Sequence, residues 1–127
     1  MSQEILIVDD ESNIVLSLKF LMQQGGYSVR TAENGEQALA ALSEGLPDLI
    51  LLDVMMPRKD GYEVCQRIRQ TPEWAHLPII MLTAKSREVE REKGLALGAD
   101  DYISKPFSTQ EVVETVNNLL ANPQQPH

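Results

Sequence analysis

The chain has 127 residues, and its 11 basic and 19 acidic side chains give a formal net charge of −8 at pH 7. This length predicts one domain, the apolar share of 43% excludes a disordered chain, and a single cysteine excludes an internal disulfide. The acidic balance argues against direct binding to nucleic acid or membranes, and without a membrane-length apolar run or the basic start of a signal peptide we expect a soluble, cytoplasmic protein.

The first half of the chain is predicted to form two strands, each followed by a helix. The apolar run at residues 5–8 is typical of a strand buried on both faces, and apolar residues at three- and four-residue spacing over 12–24 predict a helix. Alternation over 27–31 predicts a second strand. Asn34 and Gln37 have the spacing of a capping box at the start of a second helix.

The middle of the chain continues this pattern. Residues 49–53 are an apolar run that ends in an acid, and we predict that they form the central strand. Asp60 and Glu63 have capping-box spacing before a third helix. A further apolar strand is predicted at 79–82, and the charge-rich segment 87–93 predicts a fourth helix that is mostly solvated.

The last part of the chain is predicted to form a short strand and a helix. The strand covers 101–103, a turn follows at Lys105-Pro106, and Ser108 caps the helix. The residues expected on its inward face are Val112, Val113, Val116 and Leu119. We predict a domain over 1–121 and a flexible tail or linker start over 122–127, which fits a stand-alone protein or the N-terminal part of a longer one.

Strict alternation of strands and helices predicts an α/β fold. Right-handed crossovers between successive strands create a parallel sheet with helices on both faces. Ligands of such sheets bind outside the carboxyl ends of the strands. The polar residues that end the predicted strands are therefore the candidate functional residues.

Five polar side chains are expected at this edge of the sheet: Asp9 and Asp10 after the first strand, Asp53 after the third, Thr83 after the fourth and Lys105 just past the fifth. Three clustered carboxylates repel by about 4 kcal/mol per close pair at an effective dielectric near 20, so they require a cation or a shifted protonation state. Oxygen ligands without histidine or cysteine suit Mg²⁺. Lys105 and Thr83 would then hold phosphoryl oxygens, and an aspartate could attack phosphorus to form an acyl phosphate.

Four segments of the sequence resemble one known family. ILIVDDE, LILLDVMMPRKDG, MLTA and GADDYISKPF occur in this order and at family-like spacing. Together they resemble the receiver domain of response regulators in two-component signalling, which includes the single-domain chemotaxis regulators, and the resemblance covers about residues 3–121. It implies a flavodoxin-like, doubly wound five-stranded parallel sheet of order 2-1-3-4-5 with five helices.

The resemblance also implies a phosphoacceptor and a metal site. Asp53 would accept a phosphoryl group from a sensor histidine kinase or a histidine phosphotransfer protein, in a Mg²⁺-dependent reaction. Asp10 would bind Mg²⁺ directly and Asp9 through a water, with Asp53 and the backbone carbonyl of Met55 as the other protein ligands. Such a protein is not an enzyme in the usual sense, because it would catalyse its own phosphorylation and lose the phosphate slowly by autodephosphorylation.

A switch and an output face are implied as well. Thr83 would contact the phosphoryl group and shift inward, Lys105 would pair with a phosphoryl oxygen, and Tyr102 would turn inward behind Thr83. The peptide bond between Lys105 and Pro106 would be cis. The face formed by the fourth helix, the fifth strand and the fifth helix would bind an output partner, and the protein would be a monomer or a dimer promoted by phosphorylation.

Two other functions stay open from the residues alone. A Mg²⁺-dependent phosphohydrolase could use the same aspartyl phosphate, although Met55 stands two residues after Asp53, where a general acid would be needed. A receiver fold that no longer takes phosphate could serve only for docking, although the complete set of acids with Thr83 and Lys105 argues against it. Tyr102 could also be an ordinary half-buried strand aromatic.

Overall fold

The computed structural model describes residues 3–56, 60–84 and 88–121, and within these ranges five strands alternate with five helices. The strands are β1 (Glu4–Val8), β2 (Ser28–Ala32), β3 (Leu49–Asp53), β4 (Ile79–Ala84) and β5 (Asp101–Lys105). The helices are α1 (Ser12–Gln24), α2 (Gly35–Glu44), α3 (Gly61–Gln70), α4 (Glu88–Ala96) and α5 (Thr109–Ala121). The predicted alternation is therefore confirmed.

The five strands form one parallel sheet in the order β2-β1-β3-β4-β5. This is the flavodoxin-like order that the family resemblance implies. In the register of the sheet, Val8 lies opposite Leu52, and Asp53 lies opposite Leu82. The residues that end β1, β3 and β4 therefore meet along one edge of the sheet.

Two hydrophobic clusters cover the two faces of the sheet. One joins the sheet to α2 and α3, and its strand residues are Leu6, Val8, Ala32, Ile50, Leu52, Ile79 and Met81. The other joins the sheet to α1 and α5, and its strand residues are Ile5, Ile7, Leu49, Leu51, Ile80, Leu82 and Ile103. Every apolar residue of β1 and β3 is completely buried, each contributing about 1.5–3 kcal/mol, so the ends of these strands are firmly placed.

Side chains cap three of the helices at their predicted starts. The side chain of Asn34 accepts a hydrogen bond from the N–H of Gln37 at 2.9 Å, and the side chain of Gln37 accepts one from the N–H of Glu33 at 2.8 Å. The reciprocal bond is thus made one residue earlier than a standard capping box predicts. Asp60 and Ser108 each accept a bond from the N–H three residues ahead, at 3.0 Å in both cases.

The last elements differ from the prediction in two details. β5 extends to Lys105, because Lys105 pairs with Ala84 of β4. On α5 the predicted Val112 and Val116 are buried together with Leu120, whereas the predicted Val113 and Leu119 are only partly buried, because they flank the buried helical stripe. The predicted tail over 122–127 lies outside the described residues.

The exposed part of α4 is only partly described. The predicted solvation holds for Glu92 and Lys93, both of which are exposed, while residue 87 and the side chains of 88–91 lie outside the described structure. The ammonium of Lys93 lies 4.4 Å from the ring centre of Tyr62 on α3, a cation–π contact that joins the two helices. Among the described helices, none has the length and apolar character needed to cross a membrane.

Arg69 connects the end of α3 to the segments that precede β4 and β5. Its guanidinium donates to the carbonyl oxygens of Ala75, Leu77 and Gly98 at 3.0, 2.7 and 2.8 Å, and to the side chain of Asp100 at 2.9 Å. All of these partners lie far from the carboxyl edge of the sheet, because they come before the strands that lead to it. Arg69 therefore holds the scaffold together at the opposite edge.

Candidate functional site

The candidate site is built on the ends of three strands. Asp9 follows β1 directly, Asp53 is the last residue of β3, and Lys105 is the last residue of β5. Side chains alternate between the faces of a strand, and these three continue the rows that begin at Ile5, Leu49 and Ile103, all of which face α1 and α5. The sheet therefore delivers two acids and one base to the same face of its edge.

The ammonium of Lys105 is the centre of the site. Its Nζ lies 2.8 Å from Oδ2 of Asp9, 3.3 Å from Oδ1 of Asp53 and 3.4 Å from Oε1 of Glu11. The sequence analysis predicted Asp9 and Asp53 at this site but not Glu11. The one signal for Glu11 in the sequence was that it is a third acid, directly after the aspartate pair. The structure thus adds one residue to the predicted set.

Three carboxylates form a group suited to a metal ion. Oxygen atoms of Asp9, Asp10 and Asp53 all lie within 4.8 Å of one another. Asp9 is 1% exposed and Asp53 is 5% exposed, whereas Asp10 is exposed. Hard oxygen donors, partly buried and partly open to water, are the ligands that Mg²⁺ takes while it keeps several waters. The residues present therefore fit Mg²⁺.

The electrostatics of the site show excess negative charge. Burial first and then the nearby Asp9 carboxylate raise the pKa of Asp53, while Lys105 and the N–H of Met55 lower it, and the net result is a rise from its ordinary value of 3.8 to about 7. Burial alone would lower the pKa of Lys105, but its hydrogen bond to Asp9 and its attraction to Asp53 outweigh burial, so this pKa is raised. Lys105 therefore stays charged, yet it does not compensate all the acids around it.

The start of α3 lies directly against the backbone of Asp53. A Cβ atom at Gly61 would overlap the carbonyl oxygen of Asp53 and would lie 2.9 Å from the Cα of Val54. The N–H of Gly61 donates to the carbonyl oxygen of Val54 at 2.9 Å. Sequence reasoning placed a helix start here but missed this close approach, although a glycine directly after the cap Asp60 was a signal for it.

Met55 lies in the same segment. Its side chain is 66% exposed, and its N–H lies 3.4 Å from Oδ1 of Asp53, to which it donates. The backbone of this segment therefore follows the Asp53 carboxylate closely, as a carbonyl ligand at Met55 would require.

Thr83 and Tyr102 lie on the other face of the sheet from Lys105. Thr83 is 2% exposed and follows Leu82, which pairs with Asp53. By strand alternation Thr83 continues the row of Met81, and Tyr102, which pairs with Met81, packs against the cluster on that face. The structure thus brings Thr83 to the edge near Asp53 with Tyr102 half-buried on the same face, and the expected cis peptide at Lys105-Pro106 is present.

Comparisons with known proteins agree with this geometry. A family model described as the response regulator receiver domain matches residues 5–117. The alkaline phosphatase synthesis transcriptional regulatory protein PhoP of Bacillus subtilis (strain 168) is 49% identical over 120 residues, which are 94% of this chain and 49% of that protein. The phosphate regulon transcriptional regulatory protein PhoB of Rhizobium meliloti (strain 1021) is 47% identical over 94% of this chain and 53% of its own length.

Solved structures give the same result. A protein of Chloroflexus aurantiacus J-10-fl, assigned as a response regulator, superimposes with a TM-score of 0.94 at 42% identity, covering 96% of this chain and all of that one. The chain spans about half the length of the two curated relatives named above, but it covers this solved structure completely.

Proposed function

Because the chain belongs to the response regulator receiver domain family, whose members are phosphorylated on an aspartate in two-component signalling, we propose that Asp53 is the residue that accepts the phosphoryl group. One observation carries this proposal. Asp53 is a buried carboxylate at the end of the central strand, 3.3 Å from the Lys105 ammonium and grouped with two further acids. The site thus places three groups close together. They are a nucleophile, a positive charge that can neutralise phosphate, and a set of metal ligands.

In the proposed reaction, a carboxylate oxygen of Asp53 attacks the phosphorus of a phosphohistidine on a histidine kinase or phosphotransfer protein. A new O–P bond forms and the P–N bond breaks, and the imidazole leaves with the electron pair and is protonated from solvent. The product on this chain is an acyl phosphate. Lys105 then neutralises a phosphoryl oxygen, and the Thr83 hydroxyl binds another.

The metal ligands in this proposal are Asp10, Asp9 through a water, Asp53 and the carbonyl of Met55. When bound, Mg²⁺ supplies positive charge that lets the anionic donor approach a cluster of acids. The chain's own part is to hold Asp53 in place by the burial of β3 and to keep Lys105 charged beside it. Receiver domains are not classical enzymes, and we propose that this one catalyses its own phosphorylation and loses the phosphate slowly.

The proposed readout runs from the acceptor to the opposite face of the sheet. Thr83 moves toward the phosphoryl group. Tyr102 follows Thr83, because both side chains lie on the face of the sheet opposite Lys105. This change alters the surface formed by α4, β5 and α5, which we propose as the binding face for an output partner or for a second phosphorylated copy. Since the curated relatives are transcriptional regulators about twice as long, we propose residues 1–121 as a receiver unit that controls such an output.

Intact-protein mass spectrometry after incubation with acetyl phosphate tests the acceptor. Wild type is expected to gain one phosphoryl group only with Mg²⁺, and Asp53→Asn is expected to gain none. Glu44→Gln, which removes an acid at the far end of α2, is the matched control and should behave as wild type. Labelling of Asp53→Asn would place the acceptor elsewhere, and the absence of label in wild type with Mg²⁺ bound would contradict the proposal.

A further inference from the structure

Three carboxylates surround the Lys105 ammonium in this structure: it donates hydrogen bonds to Asp9 and Glu11 and forms an ion pair with Asp53. A lysine has three N–H donors, and three carboxylate oxygens, from Asp9, Asp53 and Glu11, lie between 2.8 and 3.4 Å from its nitrogen. A phosphoryl oxygen that pairs with Lys105 must therefore displace one of these three partners.

The three partners differ in how easily they can be displaced. The Asp9 side chain is completely buried and makes the shortest contact, and the Asp53 side chain is 7% exposed and is the proposed acceptor itself. The Glu11 side chain is 63% exposed and makes the longest contact, at 3.4 Å. An exposed carboxylate at long distance loses little when water replaces its partner. Glu11 is therefore the partner that gives way.

We propose that Glu11 is a selectivity-determining residue that competes with the phosphoryl group of the donor for one N–H of Lys105. This inference rests on the proposed function of Asp53. The Glu11 carboxylate also adds a fixed negative charge at the exposed side of the site. Both effects oppose small anionic phosphodonors, and both grow with the charge of the donor. A donor with two negative charges is thus disfavoured more than a donor with one.

The fold does not depend on the Glu11 side chain. Glu11 occupies the N-cap position of α1, but its side chain makes no capping hydrogen bond. The contact between this residue and Asp9 is made by the backbone, because the N–H of Glu11 donates to Oδ1 of Asp9 at 2.9 Å. Glu11→Gln keeps that backbone bond and the shape of the side chain, and it removes only the charge.

The test compares second-order phosphorylation rate constants for acetyl phosphate and phosphoramidate, at saturating Mg²⁺, in wild type, Glu11→Gln and Glu44→Gln. Phosphoramidate carries one negative charge fewer than acetyl phosphate near neutral pH. We expect Glu11→Gln to react about three- to tenfold faster than wild type with acetyl phosphate at low ionic strength, and less than about threefold faster with phosphoramidate. High salt should remove most of this difference.

Each outcome decides the proposal. If Glu11 had a purely structural role, Glu11→Gln would not change the ratio of the rate constants for acetyl phosphate and phosphoramidate, or the salt dependence of that ratio. The same ratio in Glu11→Gln and wild type therefore overturns the proposal. An equal gain in Glu44→Gln also overturns it, because net charge alone would then explain the effect. If wild type and Glu11→Gln are both labelled at the same rate, only the role of Glu11 fails, whereas if neither is labelled the proposed function fails as well.

Discussion

Replacing Asp53 with asparagine is expected to stabilise the metal-free protein. The pKa of Asp53 is raised to about 7 from 3.8, which means that the fold favours the neutral form of this side chain. In the unfolded chain Asp53 ionises near pH 4, so between pH 4 and 7 the folded state holds a proton that the unfolded state has lost. Wild type therefore loses stability as pH rises through this range and has lost the full amount above pH 7.

The size of the expected stabilisation follows from the shift in the pKa of Asp53. A shift of about three units corresponds to about 4 kcal/mol at 1.36 kcal/mol per unit. We take about half of this because the exposed side chains of Asp10 and Glu11 leave one side of the site open to water, although Asp53 itself is buried. Asparagine resembles the neutral acid and cannot ionise. We therefore expect Asp53→Asn to be more stable than wild type by about 2 kcal/mol near pH 8, and by about 1 kcal/mol near pH 5.5.

Urea unfolding in EDTA measures the difference in stability between Asp53→Asn and wild type at these two pH values. The probe is the fluorescence of the single tryptophan, the half-buried Trp74. Glu44→Gln is the control for the loss of one negative charge, and it should change the free energy of unfolding by less than about 0.5 kcal/mol at either pH. The reasoning is refuted if Asp53→Asn is no more stable than this control near pH 8, or if its advantage is larger near pH 5.5.

Three further predictions concern the metal and the scaffold. Mg²⁺ at ten times its Kd should raise the free energy of unfolding of wild type by about 1.4 kcal/mol, and EDTA should reverse this rise. An equal rise in Asp53→Asn would show that Asp53 is not a metal ligand. Gly61→Ala should cost about 1–3 kcal/mol and weaken Mg²⁺ binding in a calorimetric titration, whereas Gly45→Ala, where a Cβ meets nothing within 4 Å, should do neither. Arg69→Ala should cost about 2–4 kcal/mol in thermal or urea unfolding, with less than half recovered in Arg69→Lys; full recovery would show that charge alone matters there.

Much of the fold could be predicted because buried parallel strands leave a clear pattern. Residues 5–8 and 49–52 are apolar without interruption, as a strand covered on both faces must be, and the acids that follow them mark the strand ends. Once the strands are parallel, their carboxyl ends share one edge. The meeting of Asp9, Asp53 and Lys105 therefore follows from local patterns and a simple rule of topology.

The parts that could not be predicted depend on distances between distant segments. That Glu11 reaches Lys105 depends on the turn between β1 and α1 and on where β5 ends. The hydrogen bonds of Arg69 join α3 to the two segments that precede β4 and β5, and the spacing of these three segments is set only when the helices pack. The choice of Leu120 over Leu119 depends on a few degrees of helix rotation, which periodicity does not resolve.

The contact between Gly61 and Asp53 limits how segments can be exchanged among related proteins. Because a side chain at position 61 would overlap the backbone of position 53, the two ends of the stretch 53–61 are fitted to each other. A chimera that imported only one end would combine two halves shaped for different neighbours. In recombination or engineering, residues 53–61 should therefore be transplanted as one unit, together with the start of the helix that they lead into.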